Sequence, residues 1–190
     1  MPSRRREFLA GRAAAHAALA AIGRDDGPVG QGPRRQPRWP DGVVGSIAHA
    51  GAWAAAVVAG EEHAWGLGVD IEVLEPPLPE DVQRVVAGPL VTAPARHRLV
   101  PYASKIAFSV RESVFKCLFP ATGWRLQPAD VTVDLELDAG RYRAVVADRS
   151  RRRGTALAPI EGRFAVVAGH LLTGACAQAD DVSAGGPVPT

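Results

Sequence analysis

Two carboxylates lie two residues apart in an apolar stretch of the sequence. The segment Leu67–Val73 alternates apolar and polar residues, which predicts a strand with Asp70 and Glu72 on one face and its apolar side chains towards the core. Carboxylates about 7 Å apart on a strand repel each other, and a divalent cation relieves this repulsion. Oxygen ligands without neighbouring His or Cys favour Mg²⁺, or alternatively Mn²⁺, over zinc. A solvated polar face on an edge strand is the alternative interpretation of so short a motif.

A second candidate group lies on a predicted helix. The segment Phe108–Lys116 contains Glu112 and Lys116, which are four residues apart and therefore share one flank of a helix. One interpretation is an exposed ion pair on the helix surface. Because apolar residues surround Lys116, the pair is equally consistent with a position at the edge of a cleft.

A third candidate is His49, at the end of the predicted strand Val43–His49. An imidazole at a strand end can donate a hydrogen bond to a phosphate or can have a purely structural role. Neither a glycine-rich phosphate loop nor a Ser/His/Asp arrangement is evident in the sequence. Cys117 and Ser113 have no adjacent base that would make either a nucleophile.

The composition sets the class of protein. In a chain of 190 residues, 47% hydrophobic and 22% charged residues supply enough apolar material for one compact domain or two small halves. The net charge of +2 is too balanced to predict a nucleic acid partner. The two cysteines, Cys117 and Cys176, are predicted to be free thiols. No apolar run reaches the roughly 20 residues of a membrane span, so no membrane partner is expected.

The N-terminal segment imitates an export signal. Arg5–Leu9 precedes an alanine-rich stretch, as in twin-arginine leaders, but Arg12 and His16 interrupt the apolar region. We therefore expect an ordinary helix and a cytoplasmic protein. The residues expected to line the core face of this helix are Phe8, Leu9, Ala15, Leu19 and Ile22.

The remaining elements predict an α+β fold with antiparallel sheets. After the first helix come three strands, at 43–49, 53–59 and 65–73, which are expected to form an antiparallel meander. A second helix is expected over about 104–119, ending at Pro120, and is followed by hairpins at 131–147 and 163–177. We expect an N-terminal half over 1–79 (helix, three-strand meander and linker), a C-terminal half over 80–179 (helix and hairpins), and a flexible tail over 180–190.

Together, these stretches resemble a known enzyme family. In order and spacing, residues 39–49 (WPDGVVGSIAH), 68–72 (GVDIE) and 108–116 (FSVRESVFK) resemble the 4′-phosphopantetheinyl transferases of the siderophore- and surfactin-synthetase group, particularly its enterobactin-type branch. The arginine-rich segment 4–12 is also similar to that branch. The resemblance covers about residues 4–178 and points to secondary metabolism such as siderophore biosynthesis.

The resemblance implies a fold and a reaction. Such enzymes are monomers of two pseudo-symmetric halves, each a helix packed on a small antiparallel sheet, with coenzyme A in the cleft between them. They transfer 4′-phosphopantetheine from coenzyme A to a serine of an acyl or peptidyl carrier protein and release adenosine 3′,5′-bisphosphate. By motif position, Asp70, Glu72 and Glu112 correspond to the Mg²⁺ ligands, and Glu112 to the general base.

The resemblance also implies the residues that bind coenzyme A. These are Arg4, Arg12, Arg34, His49, Arg111 and Lys116. Lys116, which is also implied to be catalytic, and Arg111 correspond to contacts with the diphosphate. His49 corresponds to a contact with a phosphate, and the other three arginines to partners of the 3′-phosphate and adenine end.

Three features depart from the usual family pattern. Arg111 replaces a lysine, and Ala48 replaces a serine or threonine. Family members also commonly have several tens of residues before the arginine-rich segment, so an edge strand of the first half is expected to be missing.

Two other functions remain open at this point. The first is a Mg²⁺-dependent nuclease or phosphohydrolase built on Asp70, Glu72 and Glu112. In nuclease sites of this kind, Glu and Lys usually lie two residues apart on a strand, whereas Glu112 and Lys116 are four apart on a predicted helix. The second is a family member that binds coenzyme A or a carrier protein without turnover.

Overall fold

The computed structural model describes residues 2–24, 27–33, 35–86, 90–94, 96–147 and 157–178. Arg34 and the predicted tail over 180–190 lie outside these residues. The α-helices within them are α1 (Pro2–Ala21), α2 (Glu80–Val85) and α3 (Ala103–Thr122). The strands are β1 (Gly30–Gln31), β2 (Pro37–Arg38), β3 (Val43–Ala50), β4 (Trp53–Gly60), β5 (Gly66–Val73), β6 (Leu90–Thr92), β7 (Val131–Glu136), β8 (Arg141–Val146), β9 (Ile160–Val167) and β10 (His170–Ala177). None of the described helices combines the length and apolarity that a membrane span requires.

The strands form one large sheet and two hairpins, so the predicted α+β class is confirmed. The large sheet has six strands in the order β5-β10-β9-β8-β7-β6, antiparallel except for β6, which runs parallel to β7. The pairs β3–β4 and β1–β2 form separate antiparallel hairpins. The sequence pattern did not predict β6, because its three residues are exposed and do not alternate between apolar and polar.

Helix α3 covers one face of the large sheet and forms the main core with it. Its fully buried apolar residues are Ile106, Ala107, Val110, Val114, Cys117 and Leu118. The predicted end at Pro120 is wrong, because the helix continues to Thr122. A proline in the last turn removes only one N–H donor, and Gly123, at a φ of 67°, ends the helix by donating its N–H to Phe119.

The predicted three-strand meander is wrong at its third strand. β3 and β4 pair with each other, but β5 pairs with β10, with Asp70 opposite Thr173. Val69 and Ile71 of β5 instead pack with Ala48 of β3 in a small apolar cluster. The hairpin therefore contacts β5 through side chains, because the alternating pattern fixes which face of a strand is buried but leaves its pairing partner open.

Helix α1 packs on the β3–β4 hairpin. Ala15 and Leu19 are fully buried there, and a Cβ atom at Gly11 would lie 2.9 Å from Ile47, so the helix approaches β3 closely at this glycine. The core face predicted for this helix is wrong at Phe8, Leu9 and Ile22, which are exposed. A two-stranded hairpin covers only a narrow stripe of a helix, which accounts for the difference.

Both cysteines are free thiols, as predicted. Cys117 is buried on α3 and Cys176 is partly buried on β10. Cys117 packs in the main core, where a thiol acts as a small apolar side chain.

Candidate active site

Two glycines allow β5 and α3 to lie against each other. A Cβ atom at Gly68 would overlap the carbonyl oxygen of Ser113 and lie 2.9 Å from the amide nitrogen of Cys117. A Cβ atom at Gly66 would overlap the carbonyl oxygen of Cys117. Because side chains alternate along a strand, Asp70 shares the face of these glycines and is directed at α3.

Asp70 is held by two side chains of α3. It is only 6% exposed, Lys116 Nζ donates to its Oδ1 at 2.7 Å, and Ser109 Oγ donates to its Oδ2 at 2.9 Å. Lys116 Nζ also donates to the carbonyl of Val69 at 3.2 Å, and Thr173 of β10 donates to the carbonyl of Ser109 at 3.0 Å. Interpreting this strand face as a solvated edge is therefore wrong for Asp70.

Glu72 and Glu112 are half-buried and lie within electrostatic reach of Asp70. Burial, and next the negative charge of Asp70, raise the pKa of Glu112, while Lys116 opposes this shift. The pKa of Glu72 is raised by burial and by the charges of Asp70 and Glu112, against Lys105 and Lys116. Asp70, Glu72 and Glu112 thus act on one another electrostatically, and we call them the acidic cluster.

The acidic cluster has the donor chemistry of a site for a hard cation. In the described part of the chain, no three His, Cys, Asp or Glu side chains converge closely enough to share a metal ion. Burial first, and the charge of Asp70 second, raise the pKa values of Glu72 and Glu112, and carboxylate oxygens are the ligands that Mg²⁺ prefers. Asp70, Glu72 and Glu112 therefore match a divalent cation in donor chemistry and charge, although their side chains do not converge on one point in this structure.

A cavity of about 400 Å³ opens beside Lys116, and we call it the cationic cavity. Its cationic lining residues are Lys116, Arg35 and Arg125, and Ser46 and Phe115 lie among its other walls. Arg35 has a φ of 65°, a conformation that costs energy for a residue with a side chain, and its N–H donates to the carbonyl of Gly32 at 2.9 Å. A lining with three cationic side chains suits an anionic ligand with several phosphates.

A smaller cavity of about 180 Å³ lies beside Glu112. Its lining residues include Phe108, Arg111, Glu112, Phe115 and Leu126, and Phe115 also lines the cationic cavity. Arg111 is buried, its Nε donates to the carbonyl of Val131 at 2.9 Å, and burial lowers the pKa of its guanidinium. Arg111 thus lies in the wall of this smaller cavity and not in the wall of the cationic cavity.

The other predicted ligands of coenzyme A lie on or near α1. Arg12 donates to the carbonyl of Gly30 at 2.8 Å, and its guanidinium lies 4.7 Å from the centre of the Phe8 ring. Its Nε is buried without a hydrogen-bond partner among the described residues, and burial lowers the pKa of the guanidinium. Arg4 and His49 are exposed. None of these three residues lines either cavity.

The structure places Asp70 and Lys116 in direct contact, with Glu72 and Glu112 within electrostatic reach of Asp70, and it adds residues that the sequence reasoning missed. Those residues are Arg35, Lys105, Ser109 and Arg125. Lys105 and Ser109 could have been found from the sequence. Lys105 and Lys116 are the only two lysines of the chain, and Ser109 lies within the quoted segment 108–116. The two arginines are among many in the chain, and nothing in their spacing sets them apart.

Comparisons with known proteins show similarity to one group of enzymes. Residues 1–59 match the family model of the 4′-phosphopantetheinyl transferase N-terminal domain. The chain is 35% identical over 178 residues to 4′-phosphopantetheinyl transferase Svp of Streptomyces mobaraensis, covering 91% of this chain and 72% of that protein. It is 32% identical to 4′-phosphopantetheinyl transferase PptT of Mycobacterium tuberculosis, covering 90% and 78%. Enterobactin synthase component D of Salmonella typhimurium is 37% identical over 119 residues, covering 60% and 47%.

Proposed function

The chain belongs to the 4′-phosphopantetheinyl transferase family, and we propose that it transfers 4′-phosphopantetheine from coenzyme A to a serine of an acyl or peptidyl carrier protein. Adenosine 3′,5′-bisphosphate is the second product. The observation that carries this proposal is the position of Lys116, which bonds to Asp70 of the acidic cluster and also lines the cationic cavity. A carboxylate cluster next to a polyphosphate-sized cationic cavity suits the cleavage of a diphosphate.

The acidic cluster is the proposed site for Mg²⁺, with Mn²⁺ as an alternative ion. Asp70, Glu72 and Glu112 would hold the ion, which when bound offsets negative charge on the diphosphate oxygens. The raised pKa values of Glu72 and Glu112 support this assignment, because a cation relieves the repulsion that causes part of the shift. Lys116 can give up its bond to Asp70 and donate to a diphosphate oxygen.

Glu112 is the proposed general base. Its raised pKa makes it a better proton acceptor than an ordinary glutamate, and it lies in the wall of the smaller cavity, where a carrier serine could reach it. Glu112 takes the proton of the serine hydroxyl while the serine oxygen forms a bond to the β-phosphorus. The bond from this phosphorus to the bridging oxygen breaks, and that oxygen leaves with adenosine 3′,5′-bisphosphate.

The cationic cavity is the proposed binding site for the diphosphate and the adjoining nucleotide of coenzyme A. Lys116 supplies the contact closest to the acidic cluster, and Arg35 and Arg125 supply further positive charge. Further contacts are proposed, as the resemblance implies, for Arg4, Arg12, Arg34, His49 and Arg111. The buried Nε of Arg12, which has no partner among the described residues, supports a role for that arginine in binding a phosphate.

Arg125→Ala is expected to raise the KM for coenzyme A about tenfold, since a hydrogen bond to a charged group contributes about 1.5 kcal/mol. The kcat should change less than threefold, because Arg125 lines the cationic cavity but not the smaller cavity beside Glu112. Steady-state kinetics with varied coenzyme A measures both constants. Arg84→Ala, which removes an exposed arginine of α2, is the matched control. Equal KM values for the two variants would exclude Arg125 from substrate binding.

The arrangement of the whole chain extends the proposal. α1 on the β3–β4 hairpin and α3 on the large sheet are both helix-on-sheet units, which supports two pseudo-symmetric halves with coenzyme A in the cleft between them. With the proposed bounds of 1–79 and 80–179, the first half contributes β5 to the sheet of the second, because β5 pairs with β10. We also propose that the chain acts as a cytoplasmic monomer. Its balanced charge agrees with a small-molecule substrate and a protein partner, without nucleic acid or membrane.

Intact-mass spectrometry of several apo carrier proteins tests the proposed reaction. Incubated with the enzyme, coenzyme A and Mg²⁺, at least one carrier should gain the mass of one phosphopantetheine group. Unchanged masses for all carriers would contradict transfer. Calorimetry that detects coenzyme A binding without any gain in mass would identify a binding protein without turnover.

A further inference from the structure

Lys105 is a buried cation that the proposed reaction does not use. It is 8% exposed and projects from the first turn of α3. Its Nζ donates to the carbonyl oxygens of Val73 and Leu74, each at 2.9 Å, and to the carbonyl oxygen of Pro76. All three donor sites of the ammonium are thus occupied by backbone acceptors of one short segment.

This segment is the end of the strand that carries the acidic cluster. Val73 is the last residue of β5 and directly follows Glu72. The other lysine of the chain, Lys116, donates to the carbonyl of Val69 on the same strand. The two lysines are therefore anchors about three helical turns apart on α3, and Asp70 and Glu72 lie between their points of attachment to β5.

Burying an ammonium group to fix a loop costs more free energy than burying a neutral donor does. Removing its charge from water costs free energy, which backbone carbonyls offset only in part, whereas neutral amide or hydroxyl donors could bond to carbonyls at a lower cost. The charge of Lys105 also acts on the carboxylate of Glu72. Its position thus combines two effects, because it fixes the backbone next to Glu72 and attracts the Glu72 side chain.

We propose that Lys105 is a positioning residue, which holds the end of β5 so that Glu72 can join Asp70 and Glu112 around a divalent cation. This inference rests on the proposed function. According to this inference, the three acidic residues alone do not suffice for metal binding. Lysines of α3 must also hold the strand segment that carries Glu72 at both of its ends. Residues that orient metal ligands typically contribute factors of about 10–100 to metal affinity.

Lys105→Met removes the charge and the donors while keeping an unbranched side chain. Calorimetric titration of Mg²⁺ into the enzyme with saturating coenzyme A should show an affinity about tenfold weaker than that of the wild type. The KM for coenzyme A should stay within twofold, because Lys105 does not line the cationic cavity. Ile106→Val is the control for stability, since this neighbour on α3 is fully buried, the variant should lose about 1 kcal/mol, and neither side chain has a donor that could bond to a carbonyl.

The outcomes separate the inference from the proposed function. If the wild type binds Mg²⁺ and Lys105→Met binds it equally well, Lys105 does not position Glu72. The same conclusion follows if Ile106→Val weakens Mg²⁺ binding as much as Lys105→Met does. If the wild type fails to bind Mg²⁺, the metal site itself is wrong. If Lys105→Met does not fold, Lys105→Gln replaces it, because its amide has no charge and only two donors for the three carbonyls that Lys105 holds. A wild-type affinity in that variant would overturn the inference.

Discussion

Glu112→Gln is expected to lower the rate of carrier labelling by about 10²–10⁴-fold, the usual contribution of a general base. The amide cannot accept the proton of the carrier serine, and it also replaces one of the three proposed metal ligands by a neutral group. Its size is nearly that of the carboxyl group, so the packing of α3 on β5 should survive. Labelling is measured as the rate at which an apo carrier gains the mass of phosphopantetheine.

The same variant should be more stable than the wild type without metal. Because the pKa of Glu112 is raised in the folded protein, ionised Glu112 lowers the free energy of unfolding. Glutamine does not ionise and therefore does not have this effect. Glu112→Gln should therefore have the higher melting temperature at pH 8. The gain should shrink as the pH falls through the raised pKa and should vanish below the ordinary value of 4.5, where the carboxyl is protonated in both states.

Glu161→Gln supplies the control for both measurements, since Glu161 is exposed on β9. It should label carriers at the wild-type rate and melt at the wild-type temperature. Full labelling activity in Glu112→Gln would remove Glu112 from the mechanism. A lower melting temperature at pH 8 would contradict the electrostatic description of the acidic cluster.

Gly68→Ala is expected to destabilise the protein by about 3 kcal/mol or more, at the upper end for added core volume. The new Cβ atom would overlap the carbonyl oxygen of Ser113 in the backbone of α3, which cannot rotate away as a side chain can. Helix and strand must separate, and Lys116 and Ser109 then lose their bonds to Asp70. Chemical denaturation measures the loss of stability, and labelling activity should fall with it.

Gly174→Ala is a matched control on the neighbouring strand. Gly174 lies directly opposite Val69 in the β5–β10 ladder, and a Cβ atom there would meet no atom within 4 Å. Its replacement by alanine should change the free energy of unfolding by less than about 1 kcal/mol. Equal stability for the two alanine variants would show that the glycine at position 68 does not set the distance between β5 and α3.

Local patterns in the sequence predicted the chemistry-bearing residues better than their partners. The alternation around Asp70 placed it on the same strand face as Glu72, and the spacing of Glu112 and Lys116 placed both on one helix. Spacing alone suggested that these two form an ion pair, yet Lys116 bonds to Asp70 on another element. Such a bond depends on how close the backbones of α3 and β5 come, which follows from packing at the glycines and not from helical spacing.

The pairing of strands and the cationic cavity could not be derived from local patterns. The alternation of apolar and polar residues in a strand such as β5 defines its buried face, but it does not specify the strand with which it pairs. Arg35 and Arg125 are ninety residues apart in the chain and line one cavity only because the fold brings a turn before β2 next to the end of α3. Their charge alone therefore could not predict that they line the same cavity.

Three acidic side chains from β5 and α3 are proposed to bind one divalent cation. Calorimetric titration of Mg²⁺ into the enzyme with coenzyme A tests this claim most directly. The wild type should bind one ion per chain, and Asp70→Asn, Glu72→Gln and Glu112→Gln should each weaken this binding about tenfold or more. Wild-type affinity in any of these variants, or no binding by the wild type itself, would contradict the claim.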